Sequence, residues 1–390
     1  MSLPEHVPFF RPDITEEEVQ AVVTALRSGW LTTGGVCAQF EKDFQEYLGD
    51  DSLHCIAVNS ATAALHLSVE ALGIGPGDEV LVPTWTFTST AEVVRYMGAT
   101  PVLVDIDPDT FFIDFADAER KITENTKAII PVHFAGLPIP RGALNRFAAD
   151  HSLHVIEDAA HCFPVMNEGG LVGRLFPEGD SDAVCFSFYA TKTMTTGEGG
   201  MVVTRDNALA QRMKAMRLHG ISRDVFDRYT AKGASWFYEV IAPGFKYNLT
   251  DTAAALGRVQ LTRAKAMAER RGEVAKQYLE AFADLPVALP VQGDSEHGHA
   301  WHLFVIQILS EAHLGRDEFI ERAAEAGISC SVHFIPLHLH PYYRDKYGYK
   351  AQDLPYAAAN YQQAVSLPIF SAQTDADTQK VITVVRELLG

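Results

Sequence analysis

Between residues 79 and 188 short apolar runs alternate with segments of helical periodicity, and no other feature of this chain narrows its fold so far. EVLVP (Glu79 to Pro83) precedes a helical TSTAEVVRYMG, and PVLVDID starts at Pro101. KAIIPVHF near Lys127 precedes a helical RGALNRFAADH, HVIED ends at Asp158, and AVCFSF runs from Ala183 to Phe188. Strands spaced by helices of this length are βαβ units, so the expected fold is α/β, a largely parallel sheet covered on both faces. Ligands of such sheets sit beyond the C-terminal strand ends, which draws attention to Asp158 and to the segment after Phe188.

From about Asp251 the pattern changes to a long amphipathic stretch, TAAALGRVQLTRAKAMAERRGEVAKQYLEAF, one helix or two. Short strands (WHLFVIQI, ISCSVHF), a His/Tyr-rich loop (IPLHLHPYYRDKYGY) and a last helix from about Asp375 follow. A chain of 390 residues exceeds what one core usually serves. The expected division is a large α/β domain over residues 1–250, with an N-terminal arm over about 1–15, and a smaller α+β domain over 251–390.

A net charge of -18 with no basic patch argues against a nucleic-acid partner. No apolar run is long enough to span a bilayer, and MSLPEHVPFFRPDI lacks a signal-peptide pattern, so a cytoplasmic protein with no membrane partner is expected. The five cysteines form no C-x-x-C pair, and His333, His338 and His340 have no ligand spacing, so no metal is expected.

Three segments have residue types suited to chemistry. In Asn59-Ser60-Ala61-Thr62-Ala63-Ala64-Leu65 small and hydroxyl residues open a helix, where free N–H groups attract phosphate; Ser60 could equally be a plain N-cap. In Glu157-Asp158-Ala159-Ala160-His161 an acid closes a strand. An aspartate there could keep a pyridine nitrogen protonated or simply cap the next turn, and His161 could be a packed core residue. In Phe186-Ser187-Phe188-Tyr189-Ala190-Thr191-Lys192 the lysine has no other charge between Asp182 and Glu198, so it is either a desolvated imine former or solvated surface.

Taken together with Gly73 to Val80 (GIGPGDEV), Pro83 to Phe87 (PxxTF), Gly197-Glu198-Gly199-Gly200 and the GFKYNLTD segment from Gly244, these motifs resemble the DegT/DnrJ/EryC1/StrS family of sugar aminotransferases. The resemblance covers nearly the whole chain. It implies a type I PLP-transferase fold like that of aspartate aminotransferase, pyridoxal 5′-phosphate (PLP) as cofactor, and a homodimer with shared active sites. The implied reaction is transfer of an amino group from L-glutamate to a nucleotide-linked keto sugar, with a lean towards a 4-keto-6-deoxy sugar, in amino-sugar or polysaccharide biosynthesis.

Carried over by position, Lys192 is the imine-forming lysine and Asp158 the partner of the pyridine nitrogen. His161 lies near the phenolic oxygen, and Phe87 stacks on the ring with Trp85 as a second wall. Ser60, Ala61, Thr62 and Ser187 cradle the phosphate, which Asn248 reaches from the other subunit. His219, Arg223 and Lys246 are either local cations for a sugar-nucleotide pyrophosphate or solvated surface, and the loop bearing His333, His338, His340, Tyr342 and Tyr343 could meet the sugar or nucleotide. Ala61 and Phe163-Pro164 depart from the family pattern. Relatives that replace the lysine with histidine are dehydratases. A dehydratase is thus the alternative within PLP chemistry, and a non-catalytic PLP or sugar-nucleotide binder the alternative outside it.

Overall fold

The computed structural model describes residues 3–177, 179–221, 237–294 and 297–390. Its strands are β1 (His54–Val58), β2 (Glu79–Pro83), β3 (Thr100–Val104), β4 (Thr126–Ile129), β5 (His154–Asp158), β6 (Met166–Asn167), β7 (Gly170–Leu171), β8 (Ala183–Ser187), β9 (Gly200–Thr204), β10 (Val287–Ala288), β11 (Phe304–Ile308) and β12 (Ala364–Leu367). Seven of them form one sheet in the order β1-β9-β8-β5-β4-β2-β3. The run from β3 to β8 is parallel, and β9 lies antiparallel to both of its neighbours. β6 and β7 make a small hairpin.

The continuous apolar runs are explained by burial on both sheet faces. On one face Val58, Val82 and Ile156 pack with Leu67, Val94 and Met213, from the helices Ala61–Ala71, Ser89–Tyr96 and Asn207–Met216. On the other face Val184 and Phe186 meet Phe40 and Phe44 of the helix Gly35–Leu48, while Leu81, Ile129 and Val155 meet Leu144 and Ala148 of the helix Arg141–His151. Consecutive strand residues thus serve opposite layers, and neither side admits a polar alternation.

The amphipathic stretch after Thr250 is one helix, Asp251–Ala281, about 46 Å long at 1.5 Å per residue. Its first half contributes Ala254, Leu261 and Ala264 to the core beneath the large sheet. Its second half contributes Val274, Ala275 and Tyr278 to a core shared with the antiparallel sheet β10-β11-β12 and the final helix Asp375–Leu389. Val7, in the N-terminal arm, is fully buried in this second core and bridges to Ile328. ISCSVHF forms no strand: Ser331 bridges once to Ser366, and the chain then turns away from the sheet.

Candidate active site

β5 and β8, adjacent and parallel, end at the same edge of the sheet, and beyond that edge is a cavity of about 480 Å³. It is bounded by Asp158 and His161 after β5, by Ser187 and Lys192 after β8, by the helix start at Ser60, Ala61 and Thr62, by Phe87, and by His302, His333 and Phe334 from the C-terminal part of the chain.

Lys192 sits in a tight turn closed by its own N–H donating to Tyr189 O at 2.9 Å, with Thr196 N–H donating to Phe188 O at 2.9 Å just after it. Its Nζ is 3.2 Å from His302 Nε2. Burial lowers the amine to about 7, with Asp158 opposing and Arg271 reinforcing that shift. Near neutral pH a substantial fraction is therefore uncharged and nucleophilic, unlike an ordinary surface lysine.

Asp158 is buried, 4% exposed. Its Oδ2 accepts from Thr90 Oγ1 at 2.8 Å and its Oδ1 from Ala160 N–H at 3.1 Å. Burial pushes its carboxyl up, while these donors and Lys192 hold it back. Thr90 is itself held by Thr86 Oγ1 at 2.8 Å. On the opposite side of the strand Glu157 meets His133 Nε2 at 2.6 Å. Ile139 N–H donates to His133 Nδ1 at 3.0 Å, so Nε2 carries the proton and donates it to Glu157.

The helix Ala61–Ala71 starts at the cavity. Ser60 is its N-cap, accepting from Ala63 N–H at 3.1 Å, and the first backbone turn closes from Ala64 N–H to Ser60 O. The N–H groups of Ala61 and Thr62 precede that bond, so the cap by Ser60 leaves them available to an anion. Gly200 makes this possible: a Cβ there would lie 2.7 Å from Ser60 C and 2.8 Å from Ala61 N. Ser187 Oγ accepts from Tyr189 N–H at 3.3 Å, which leaves its own O–H free to donate.

Phe87 is 58% exposed at the cavity, its ring centroid 6.1 Å from that of Phe334. Trp85 does not wall the pocket. Alternation along the chain turns it into the core, fully buried against Phe111 and Phe134. His161 is both packed and at the cavity, with centroids 4.3 Å from His302 and 5.9 Å from Phe334; burial holds its imidazole well below the usual range. His333 Nδ1 lies 3.0 Å from Ser366 Oγ, and burial lowers its imidazole to about 4.

The remaining candidates stand apart from this chain's cavity. Asn248 donates to Thr33 Oγ1 at 2.6 Å and accepts from Lys246 Nζ at 2.7 Å. Lys246 and His219 are exposed, and Arg223 lies outside the described residues. In the His/Tyr-rich loop His338 bonds Thr84 Oγ1 at 2.8 Å and Tyr343 packs beneath the large sheet's helices, so both are structural because the loop folds back over the sheet edge.

Several residues at or behind the site, Phe334 of the cavity wall among them, were missed in the sequence. Thr90 was passed over inside a helix, His302 at the start of WHLFVIQI, and Arg271 among the charges of the long helix. Nothing local marks them, because their partners are remote in the chain: 68 residues for Thr90 with Asp158 and 110 for His302 with Lys192.

The profile of the DegT/DnrJ/EryC1/StrS aminotransferase family matches residues 12–386. The spore coat polysaccharide biosynthesis protein SpsC of Bacillus subtilis is 43% identical over 98% of this chain and 97% of its own. Spr1654 of Streptococcus pneumoniae, assigned as a sugar aminotransferase and solved in PMP and PLP forms, superposes with a TM-score of 0.87 in each; the PMP form is 32% identical over 98% of this chain and all of its own. PseC of Helicobacter pylori, an aminotransferase involved in the biosynthesis of pseudoaminic acid, superposes with a TM-score of 0.87 at 28% identity over 100% of this chain and 99% of its own.

Proposed function

Because the chain belongs to the DegT/DnrJ/EryC1/StrS family and is a PLP-dependent sugar aminotransferase of type I fold, we propose that it moves the amino group of L-glutamate to a nucleotide-linked keto sugar, of the 4-keto-6-deoxy class. The observation that carries this reading is a lysine whose amine is lowered to about 7, lining the same cavity as a buried aspartate.

The cavity fits PLP at each of its ends. The helix start at Ala61 and Thr62 with the Ser187 hydroxyl suits a phosphate, and the close approach that Gly200 allows keeps those donors together. Phe87 offers an exposed ring face, and among the described residues no cation bonds directly to the buried Asp158 carboxyl, a place that a protonated pyridine nitrogen would fill. When bound, PLP supplies an aldehyde that takes up an amino group and a ring that withdraws electrons from the carbon being deprotonated.

The chain's own residues do the rest. Asp158, whose carboxylate form Thr90 and the Ala160 N–H favour against the effect of burial, would hold a proton on the ring nitrogen. Lys192 Nζ would take the proton from Cα of the donor and, in the second half, deliver one to the former carbonyl carbon of the sugar after the amine nitrogen has replaced its oxygen, lost as water; an amine near pKa 7 can do both. Asn248 and Lys246 support the neighbouring site of a homodimer, since neither lines the cavity of its own chain.

The test is an absorbance scan of the PLP-loaded protein with L-glutamate, followed by a panel of nucleotide-linked 3-keto and 4-keto sugars. Bleaching of the visible band by glutamate and its return with a 4-keto-6-deoxy sugar is the expected result. A loaded protein that ignores glutamate overturns the proposed donor.

A further inference from the structure

Arg271, in the long helix, is buried, and among the described residues no carboxylate pairs with it. Its guanidinium is satisfied by backbone carbonyls instead: Nη1 donates to Ile369 O at 2.9 Å, to Trp301 O at 3.2 Å and to His302 O at 3.4 Å, and Nη2 donates to Thr191 O at 3.4 Å. Its Nε donates to Ser371 Oγ at 3.2 Å. One rigid planar group thus ties the residue preceding Lys192 to the residue whose imidazole faces Lys192. Two segments 110 residues apart are held in fixed register by a side chain that reaches neither reacting group.

The imidazole held in this way is 6% exposed, and its Nε2 is the only hydrogen-bond partner the described residues offer to Lys192 Nζ. Its Nδ1 is buried with no partner, as is Nδ1 of His161, whose ring lies against it. A structural histidine in a core normally uses both nitrogens, as His133 does with Ile139 and Glu157. His302 uses only the one that meets the lysine.

We propose that His302 is a positioning residue for Lys192, its Nε2 accepting an N–H from the amine whenever the amine is free, so that the lone pair stays turned towards the cavity. Arg271 fixes the height of the imidazole. The charged and titratable groups around the amine are Asp158 from the end of β5, His161 from the turn after it, Arg271 from the long helix, and His302 and His333 from the C-terminal part of the chain. Burial disfavours the charged form of all three imidazoles, and an uncharged acceptor at 3.2 Å favours the protonated amine over the neutral one without adding charge.

This rests on Lys192 being the residue that condenses with PLP, its nitrogen bonding to the aldehyde carbon while the aldehyde oxygen leaves as water. The test uses cofactor-free protein in the wild-type, His302→Gln and His302→Leu forms. PLP uptake is followed by absorbance as a function of pH, and binding of pyridoxamine phosphate, which cannot condense with a lysine, is followed by calorimetry. Gln keeps an acceptor and Leu does not. The expected result is that all three forms bind pyridoxamine phosphate alike, that the Gln profile follows wild type, and that the Leu profile has a lower apparent pKa, by ~1 unit, with a plateau rate ~10-fold slower. A Leu profile that superimposes on wild type, or moves to higher pH, overturns the proposal. Loss of pyridoxamine phosphate binding in the Leu form by the same factor as PLP uptake also overturns it, in favour of a purely structural histidine. If the wild type itself gives no visible band with PLP, the lysine assignment falls instead.

Discussion

Lys192 and Asp158 are set in opposition: burial lowers the pKa of the one and raises that of the other, and each partly offsets the other's shift. In the cofactor-free protein the lysine's folded pKa, about 7, is below its unfolded value of about 10.4, so the unfolded chain binds more protons throughout that window. Stability contributed by this site therefore rises with pH between about 7 and 10, and the cost of the buried ammonium is greatest below 7. Lys192→Met should raise Tm of the cofactor-free protein at pH 6 and by less at pH 9, a difference that calorimetric scans at the two pH values will reveal. Asp158→Asn should lower kcat by about 10²-fold or more, because an amide cannot hold the ring proton, whereas Thr90→Val, which removes one donor to the carboxylate, should cost about 10-fold. Steady-state kinetics on the pair decide whether Thr90 acts through Asp158. At this scale the sequence showed the groups that announce themselves by neighbourhood: a lysine in an uncharged segment, an acid at a strand end, small residues at a helix start. Trp85 was misread because its fate depends on which face the chain presents after β2, and His302 was invisible because its partner is 110 residues away.

Elements meet the site through one acid. The helix Gly35–Leu48 begins at Gly34, which has no side chain to cap it. Its free N–H groups are taken by Asp251, the first residue of the long helix: Oδ1 accepts from Gly34 at 2.7 Å and Cys37 at 2.9 Å, and Oδ2 from Val36 at 3.2 Å. Thr33, next to this junction, holds Asn248 and donates to Leu249 O, so the segment GFKYNLTD has its conformation set by a cap borrowed from another helix. Asp251→Ala should destabilise the protein by about 1–3 kcal/mol, with Asp251→Asn falling between, as measured by urea unfolding. The strand ends and the last helix were legible because periodicity is local. The failed strand ISCSVHF shows the limit, for a β-branched and aromatic run becomes a strand only if a neighbour offers a register, and here β12 offers it one residue.

For the whole molecule the decisive arrangement is that the cavity is lined by one set of sequence motifs while GFKYNLTD, another motif of the same resemblance, leaves Asn248 and Lys246 outside it. Within one chain these residues have no role at the site. In a two-fold dimer with shared sites the same surface serves the partner's cavity, and the two observations cease to conflict. Mixing two inactive forms tests this directly. In a heterodimer of Lys192→Ala and Asn248→Asp protomers, shared sites leave one site with both substitutions and one with neither. Random reassociation should then restore about a quarter of the wild-type activity, since half of the dimers are mixed and half of their sites are intact. If each chain completes its own site, every site in every mixed dimer carries one defect and no activity returns. The assay needs only that the subunits exchange, which gel filtration of differently tagged forms establishes beforehand, and its two outcomes do not overlap.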